Sequence, residues 1–179
     1  GEEHLICPNT NGGKNFPAGA YSPLNNAIFM PVQNTCAVES PTADKIVPTS
    51  AYMLNTKAQP ALGTDKLGTL YAISVETGKT FWKLDGRAGA LSVVTTAGRL
   101  VFGGDTNGRF RAIDQDTGKV LWEVNLGAPV TGYPISYAVD GKQYIAVSTG
   151  SSLVSSGVNR LAPELKPGNA NSIFVFALP

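Results

Sequence analysis

Two stretches of the chain carry the same pattern: an alternation of apolar and polar positions, a polar turn, and a second short run closing on tryptophan. Residues 70–82 read LYAISVETGKTFW and residues 110–122 read FRAIDQDTGKVLW. Period-two alternation interrupted by a glycine-containing turn predicts a β-hairpin in each. Glycine at the third turn position, Gly78 or Gly118, suits a left-handed backbone and fixes the register of the flanking strands. Between the hairpins, residues 90–97 (ALSVVTTA) and 99–104 (RLVFGG) predict two more strands separated by Gly98. Downstream, residues 134–139 and 143–149 flank an Asp140-Gly141-Lys142 turn, and residues 172–178 (SIFVFAL) supply a further strand. Upstream, residues 20–24 and 27–33 read as the two strands that begin the unit completed by the first hairpin.

The hairpins are an internal repeat. Ala72, Thr77, Gly78, Lys79 and Trp82 recur as Ala112, Thr117, Gly118, Lys119 and Trp122, each displaced by 40 residues. Four antiparallel strands in about forty residues describe a β-propeller blade, and about eleven strands make three such units. The expected boundaries are 19–84, 90–125 and 133–179, the last lacking its fourth strand. A repeated Trp reads as glue between units, burying about 150 to 250 Å² and needing an acceptor for its indole N–H. Residues 34–66, rich in Thr, Ala and Pro, and 150–171, rich in Ser, Gly and Pro, do not fit the repeat and are expected as long loops. Each interrupts a blade between its second and third strands, so both are expected to emerge on one face. Three open blades leave hydrophobic edges and faces exposed, which calls for blades supplied from elsewhere, although a fragment or an unfamiliar packing satisfies the same pattern.

Composition narrows the chemistry. Hydrophobic residues make up 42% of the 179, as in an ordinary folded domain, while charged residues make up only 15% and the net charge is +1. There is no basic stripe for nucleic acid and no apolar stretch long enough for a transmembrane helix. The chain begins at Gly1 without a leader pattern, which fits a removed signal peptide, a leader further upstream, or an internal start. Cys7, Cys36 and the single His4 are too few for a transition-metal centre. Composition alone leaves open whether the cysteines pair in an oxidising compartment or stay as buried thiols.

The pattern Ala-x-x-x-x-Thr-Gly-x-x-x-Trp resembles the tryptophan docking motif of the pyrroloquinoline-quinone (PQQ) dehydrogenases, a family of eight-bladed propellers; non-enzymatic propellers carry degenerate versions of it. More discriminating is residues 6–36, ICPNTNGGKNFPAGAYSPLNNAIFMPVQNTC, similar to the corresponding stretch of methanol and ethanol dehydrogenases: Cys-Pro, Gly-x-Lys-Asn, Tyr-x-Pro, then an apolar strand ending near a second Cys. The ending FVFALP, residues 174–179, resembles the C-terminus of that family. The resemblance implies an all-β fold: about three blades of an eight-bladed β-propeller, completed by blades on a larger N-terminal chain or fragment. It also implies a Cys7–Cys36 disulfide and a periplasmic protein.

The family's chemistry is oxidation of an alcohol by hydride transfer to PQQ, assisted by an aspartate base and a calcium ion, with electrons passed to a cytochrome c. No segment here matches the family's Ca2+ ligands or catalytic aspartate, so no catalytic residue and no metal ligand is assigned to this chain. Asn15 matches the asparagine that hydrogen-bonds the quinone, Phe16 occupies the next place as a cavity wall, and Val154 stands by position at a cofactor contact. That last match is imperfect, because Gly150-Ser151-Ser152-Leu153-Val154 replaces the Gly-Trp-Gly-Gly of relatives. The plain alternative for residues 12–16 is a glycine-rich turn in which Asn15 caps its own backbone. Lys14 complements the cofactor's carboxylates or pairs locally, and Asp114 and Asp116 are expected to serve their own turn. The competing function is a non-catalytic PQQ-repeat propeller that binds a protein partner. No Cys-x-x-Cys-His motif for covalent haem occurs in the chain.

Overall fold

A computed structural model of the chain describes residues 2–42 and 54–177, the side chains of 153–155 excepted. Its elements begin with β1 (His4–Ile6), β2 (Ala20–Ser22), β3 (Ala27–Gln33), β4 (Thr35–Pro41) and β5 (Leu54–Pro60). The first repeat hairpin is β6 (Gly68–Ser74) with β7 (Thr80–Gly86); β8 (Ala90–Thr95) and β9 (Leu100–Asp105) lead to the second, β10 (Arg109–Asp114) with β11 (Val120–Asn125). Then come β12 (Ile135–Val139), β13 (Lys142–Thr149), a short helix α1 (Leu153–Asn159) and β14 (Ser172–Ala177).

The strands form four antiparallel sheets, ordered β2-β3-β6-β7, β8 to β11 in sequence, β12-β13-β14, and β1-β4-β5. Both repeat hairpins share a register in which Ala72 faces Trp82 and Ala112 faces Trp122, with a bulge at the next pair in each. The turns match as well. Gly78 (φ 70°) and Gly118 (φ 73°) sit in the left-handed region, and each donates its N–H to the residue ending the preceding strand, Ser74 or Asp114, at 2.9 Å. Asp114 Oδ1 accepts from the N–H of Asp116 and from both the N–H and hydroxyl of Thr117, so this carboxylate serves its own turn as expected.

The first two sheets stack face to face over Phe29, Leu70, Ala72, Val93, Val101 and Ile113. The second and third stack over Phe110, Val130, Ile145 and Val147, with Phe174 and Phe176 of β14 closing the layer. Trp82 is the dock between the first pair: its indole N–H donates to Gln115 O at 2.9 Å, and its ring lies against Gly118. Trp122 packs instead edge-on to Phe176, centroids 5.2 Å apart. At the end of the stack, register places Ile135, Tyr137, Val139, Ile173 and Val175 on one face of the third sheet, all exposed, with Ile173 at 78%.

Two expectations need correction. Residues 34–66 are not one long loop, because their described part forms β4 and β5, paired from Thr35↔Pro60 to Pro41↔Leu54, with β1 added on the other edge of β4. The middle of that stretch, 43–53, lies outside the described residues. The strands escaped the pattern because β5, LNTKAQP, is exposed along most of its length and so has no apolar alternation. Residues 150–171 likewise contain α1, whose SSGV core and lack of acidic first-turn residues give no helix signal. Both insertions do leave their sheets between the second and third strands, and they meet: Leu67, at the end of the first, packs with Val158 and Ala162 of the second.

Candidate functional site

The meeting place of the insertions is also where the N-terminal loop crosses. That loop is stitched to its surroundings along its whole length. The Cys7–Cys36 disulfide anchors its start to β4, Asn9 N–H donates to Thr35 O at 3.0 Å, and Gln33 N–H donates to Gly13 O at 2.7 Å. Its far end joins the second sheet, where Ala18 N–H donates to Ser92 Oγ and Ala18 O accepts from Val93 N–H, both at 3.0 Å. Gly12 takes φ 75° at the tight bend, and its N–H returns to Asn9 O at 2.7 Å.

Within this frame Asn15 is exposed and its amide is held by its own loop: Nδ2 donates to Asn11 O at 2.7 Å, and Oδ1 accepts from Phe16 N–H at 2.8 Å. An amide carries two N–H groups and two acceptor sites, so one of each remains for a ligand. Lys14 Nζ donates to Asn15 O at 2.7 Å and to Pro17 O, the local pairing that sequence had allowed. Burial pulls the Lys14 ammonium below its ordinary pKa, and no carboxylate lies within ion-pair distance among the described residues. Phe16 is 47% exposed beside the loop that precedes β12, where Tyr133 Oη donates to Phe16 O at 3.4 Å.

Behind Asn15 lies a cavity of about 60 Å³ bounded by Asn9, Asn11, Gly12, Asn15, Gln33, Thr35 and Ala58 on one side and by Gly157, Val158 and Leu161 on the other. Gln33 is buried; its Nε2 donates to Ala90 O at 2.7 Å, which fixes the amide orientation and leaves Oε1 without a partner. A larger cavity of about 120 Å³ opens between the first two sheets. Its charged wall is already compensated, with Arg111 paired to Asp105 at 2.8 Å and to Glu123 at 2.6 Å, so it is an inter-sheet seam.

Of the residues singled out from sequence, the structure sets Asn15 on the cavity wall, leaves Phe16 outside that lining and beside Tyr133, and joins Cys7 to Cys36. Val154 falls in the first turn of α1, and its side chain lies outside the described set. Sequence reasoning passed over Gln33, Val158 and Leu161; the first sits at the end of a strand and the others in a stretch expected to be a loop. Among the described residues no three His, Cys, Asp or Glu side chains come together as a metal site.

Four-stranded antiparallel sheets stacked face to face and locked by a repeated Trp define part of a β-propeller. The chain belongs to the glucose/ethanol/alcohol dehydrogenase β-propeller family, whose model matches residues 54–145. It is 34% identical over 151 residues to the lanthanide-dependent methanol dehydrogenase of Methylacidiphilum fumariolicum, covering 81% of this chain and 24% of that protein. Against the quinoprotein ethanol dehydrogenase of Pseudomonas putida it is 30% identical over 177 residues, covering 97% of this chain and 28% of that one. Among solved structures, a europium-containing methanol dehydrogenase superposes with a TM-score of 0.88 at 27% identity, over 99% of this chain and 35% of its own. The chain thus spans about a quarter of the length of the curated relatives it matches.

Proposed function

We propose that this chain forms one wall of the cofactor pocket of a periplasmic quinoprotein dehydrogenase that oxidises primary alcohols or polyols. In this reading the hydride passes to PQQ with Ca2+ assistance and the electrons go on to a cytochrome c. The observation that carries the reading is the placement of Asn15 on a loop fixed at both ends, over a cavity where the two insertions meet.

The donor set fits the group. When bound, PQQ supplies a two-electron acceptor and carries carboxylates. Asn15 retains an N–H for a carbonyl and an acceptor site for a ring N–H, while Lys14 is a cation with no carboxylate in ion-pair reach among the described residues. Gln33, a buried residue of the cavity lining, keeps an acceptor without a partner, and the exposed Phe16 ring is an apolar wall for the cofactor or the alcohol. These residues bind and orient; the general base and the metal ligands come from other blades. Those same blades cover the exposed apolar face of the third sheet, which would otherwise favour aggregation. Export is supported by the disulfide, which persists in oxidising compartments. The relatives' names include a lanthanide enzyme, so the metal is tested as Ca2+ against a lanthanide in parallel titrations.

One observation favours the competing reading of a non-catalytic scaffold: both ends of the Asn15 amide are engaged within its own loop, as in a self-capped turn. The same variant separates the two. PQQ binding to the intact protein is followed by fluorescence quenching, and alcohol-dependent dye reduction is measured after reconstitution. Asn15→Ala is expected to weaken PQQ binding roughly tenfold, as for loss of one hydrogen bond to a charged or strongly polar group. Absence of PQQ binding by the unaltered protein refutes the dehydrogenase reading and leaves the scaffold.

A further inference from the structure

The cavity wall opposite Asn15 has little intrinsic order. α1 is seven residues long and contains Gly157 and two serines, far below the length at which a helix holds itself in water. Its position is set from outside: Leu67 packs on Val158, Asn159 Nδ2 donates to Thr106 O at 3.0 Å, and just beyond the helix end the segment is held by Arg87.

Arg87 lies just beyond β7, in the connection to β8 and outside both insertions. Its guanidinium reaches into each of them. One terminal nitrogen donates to Asp65 O at 2.8 Å, near the end of the first insertion. The other donates to Leu161 O at 2.8 Å and to Glu164 Oε2 at 3.3 Å, while Nε donates to Glu164 Oε1 at 2.6 Å. This is a two-pronged Arg–carboxylate pair with two backbone carbonyls added, a geometry that a lysine cannot reproduce. Leu161 links it to the site directly, because the residue whose carbonyl Arg87 holds is itself part of the cavity wall.

We propose that Arg87 is a positioning residue for the cofactor pocket, clamping the two insertions together so that the α1 wall stands at a fixed distance from the Asn15 loop. This rests on reading the cavity as part of the PQQ site. Arg87 touches no cofactor; it acts through Leu161 and Glu164. At its C-terminal side the wall is held by a cation anchored in the sheet connection, in addition to the Asn159–Thr106 bond, so the loss of Arg87 loosens the wall without disturbing the stacked sheets.

The test uses the intact protein and three variants, Arg87→Gln, Arg87→Lys and Glu164→Gln, beside Asn15→Ala. Amide hydrogen exchange over residues 156–165 and the PQQ dissociation constant are measured for each. Arg87→Gln is expected to speed exchange in that segment by about tenfold or more while β8 to β11 keep their protection, and to raise the dissociation constant by about tenfold. Glu164→Gln, which leaves Arg87 its two carbonyls, should move both readouts the same way by less, and it serves alone if Arg87→Gln does not fold. Arg87→Lys should restore only part of either. Unchanged exchange in 156–165 overturns the clamp. Faster exchange with an unchanged dissociation constant, while Asn15→Ala raises it, overturns the positioning role and leaves the proposed function standing. If the unaltered protein does not bind PQQ, both fall together.

Discussion

Replacing Gly118 by Ala tests the docking between sheets at its tightest point. Gly118 has φ 73°, and a Cβ built there would lie 2.7 Å from Trp82 Cδ2 and 2.8 Å from Cε3. Two costs add. A left-handed backbone with a Cβ costs about 1 to 2 kcal/mol. Forcing the indole aside costs about 1 to 3 kcal/mol more, because the ring is held against Phe29 and its N–H against Gln115 O. The sum is about 2 to 5 kcal/mol. Gly141 is the control, since at φ 78° it has no atom within 4 Å of a built Cβ, so Gly141→Ala pays only the backbone cost. Denaturant unfolding of the intact protein, read by tryptophan fluorescence, compares the two. In a Trp82→Leu background the excess at Gly118 should shrink, with a coupling of about 0.5 to 3 kcal/mol. Equal losses at 118 and 141, or an excess that survives removal of the indole, refute the reasoning.

Removing the disulfide by a double Cys7→Ser, Cys36→Ser exchange should cost about 3 to 4 kcal/mol on the chain-entropy account, given the separation of 29 residues. Denaturant midpoints with and without reductant check this: reductant should lower the unaltered protein to the level of the variant and leave the variant unchanged. Asp114 is held below its ordinary pKa of 3.8 by the Thr117 hydroxyl and backbone N–H. Its folded value is depressed, so its contribution is fully present above about pH 5 and is lost as pH falls through and below 3.8. Asp114→Asn should therefore be less stable than the unaltered protein at pH 7, with the gap closing towards pH 2; thermal midpoints across that range would show a constant gap if the argument is wrong.

What was legible in the sequence was whatever local chemistry dictates. The Thr-Gly-Lys turns and their flanking alternation specify hairpins without reference to the rest of the chain, and Gly78 and Gly118 occupy the backbone region their positions required. The strands β4 and β5 were not legible, because they are ordered by each other, by β1 and by the disulfide rather than by an apolar stripe of their own. The helix α1 was hidden for a related reason: its serines and glycine are poor helix formers, and its place comes from Leu67, from the Asn159–Thr106 bond and from Arg87 just beyond its end. Asn15 stands out through its surrounding motif, whereas Gln33 has no distinguishing neighbour in sequence, and its partnerless buried oxygen is a product of the fold. The Arg87–Glu164 pair, 77 residues apart, leaves no trace at any local spacing.

The Trp82 dock also gives the stack a direction. At one end Gly78 presents the same turn as Gly118 with nothing within 4 Å of it, a socket without its indole. At the other, the stack ends not on an indole but on the exposed apolar face of the third sheet, because Trp122 already packs against Phe176 of that sheet. The first end thus has room for a neighbour's tryptophan, and the second calls for an apolar surface to cover it. The two ends are unlike, and contacts between unlike faces are the kind that close into rings or grow into filaments. Occupying both ends is thus a condition for solubility as much as for a finished active site.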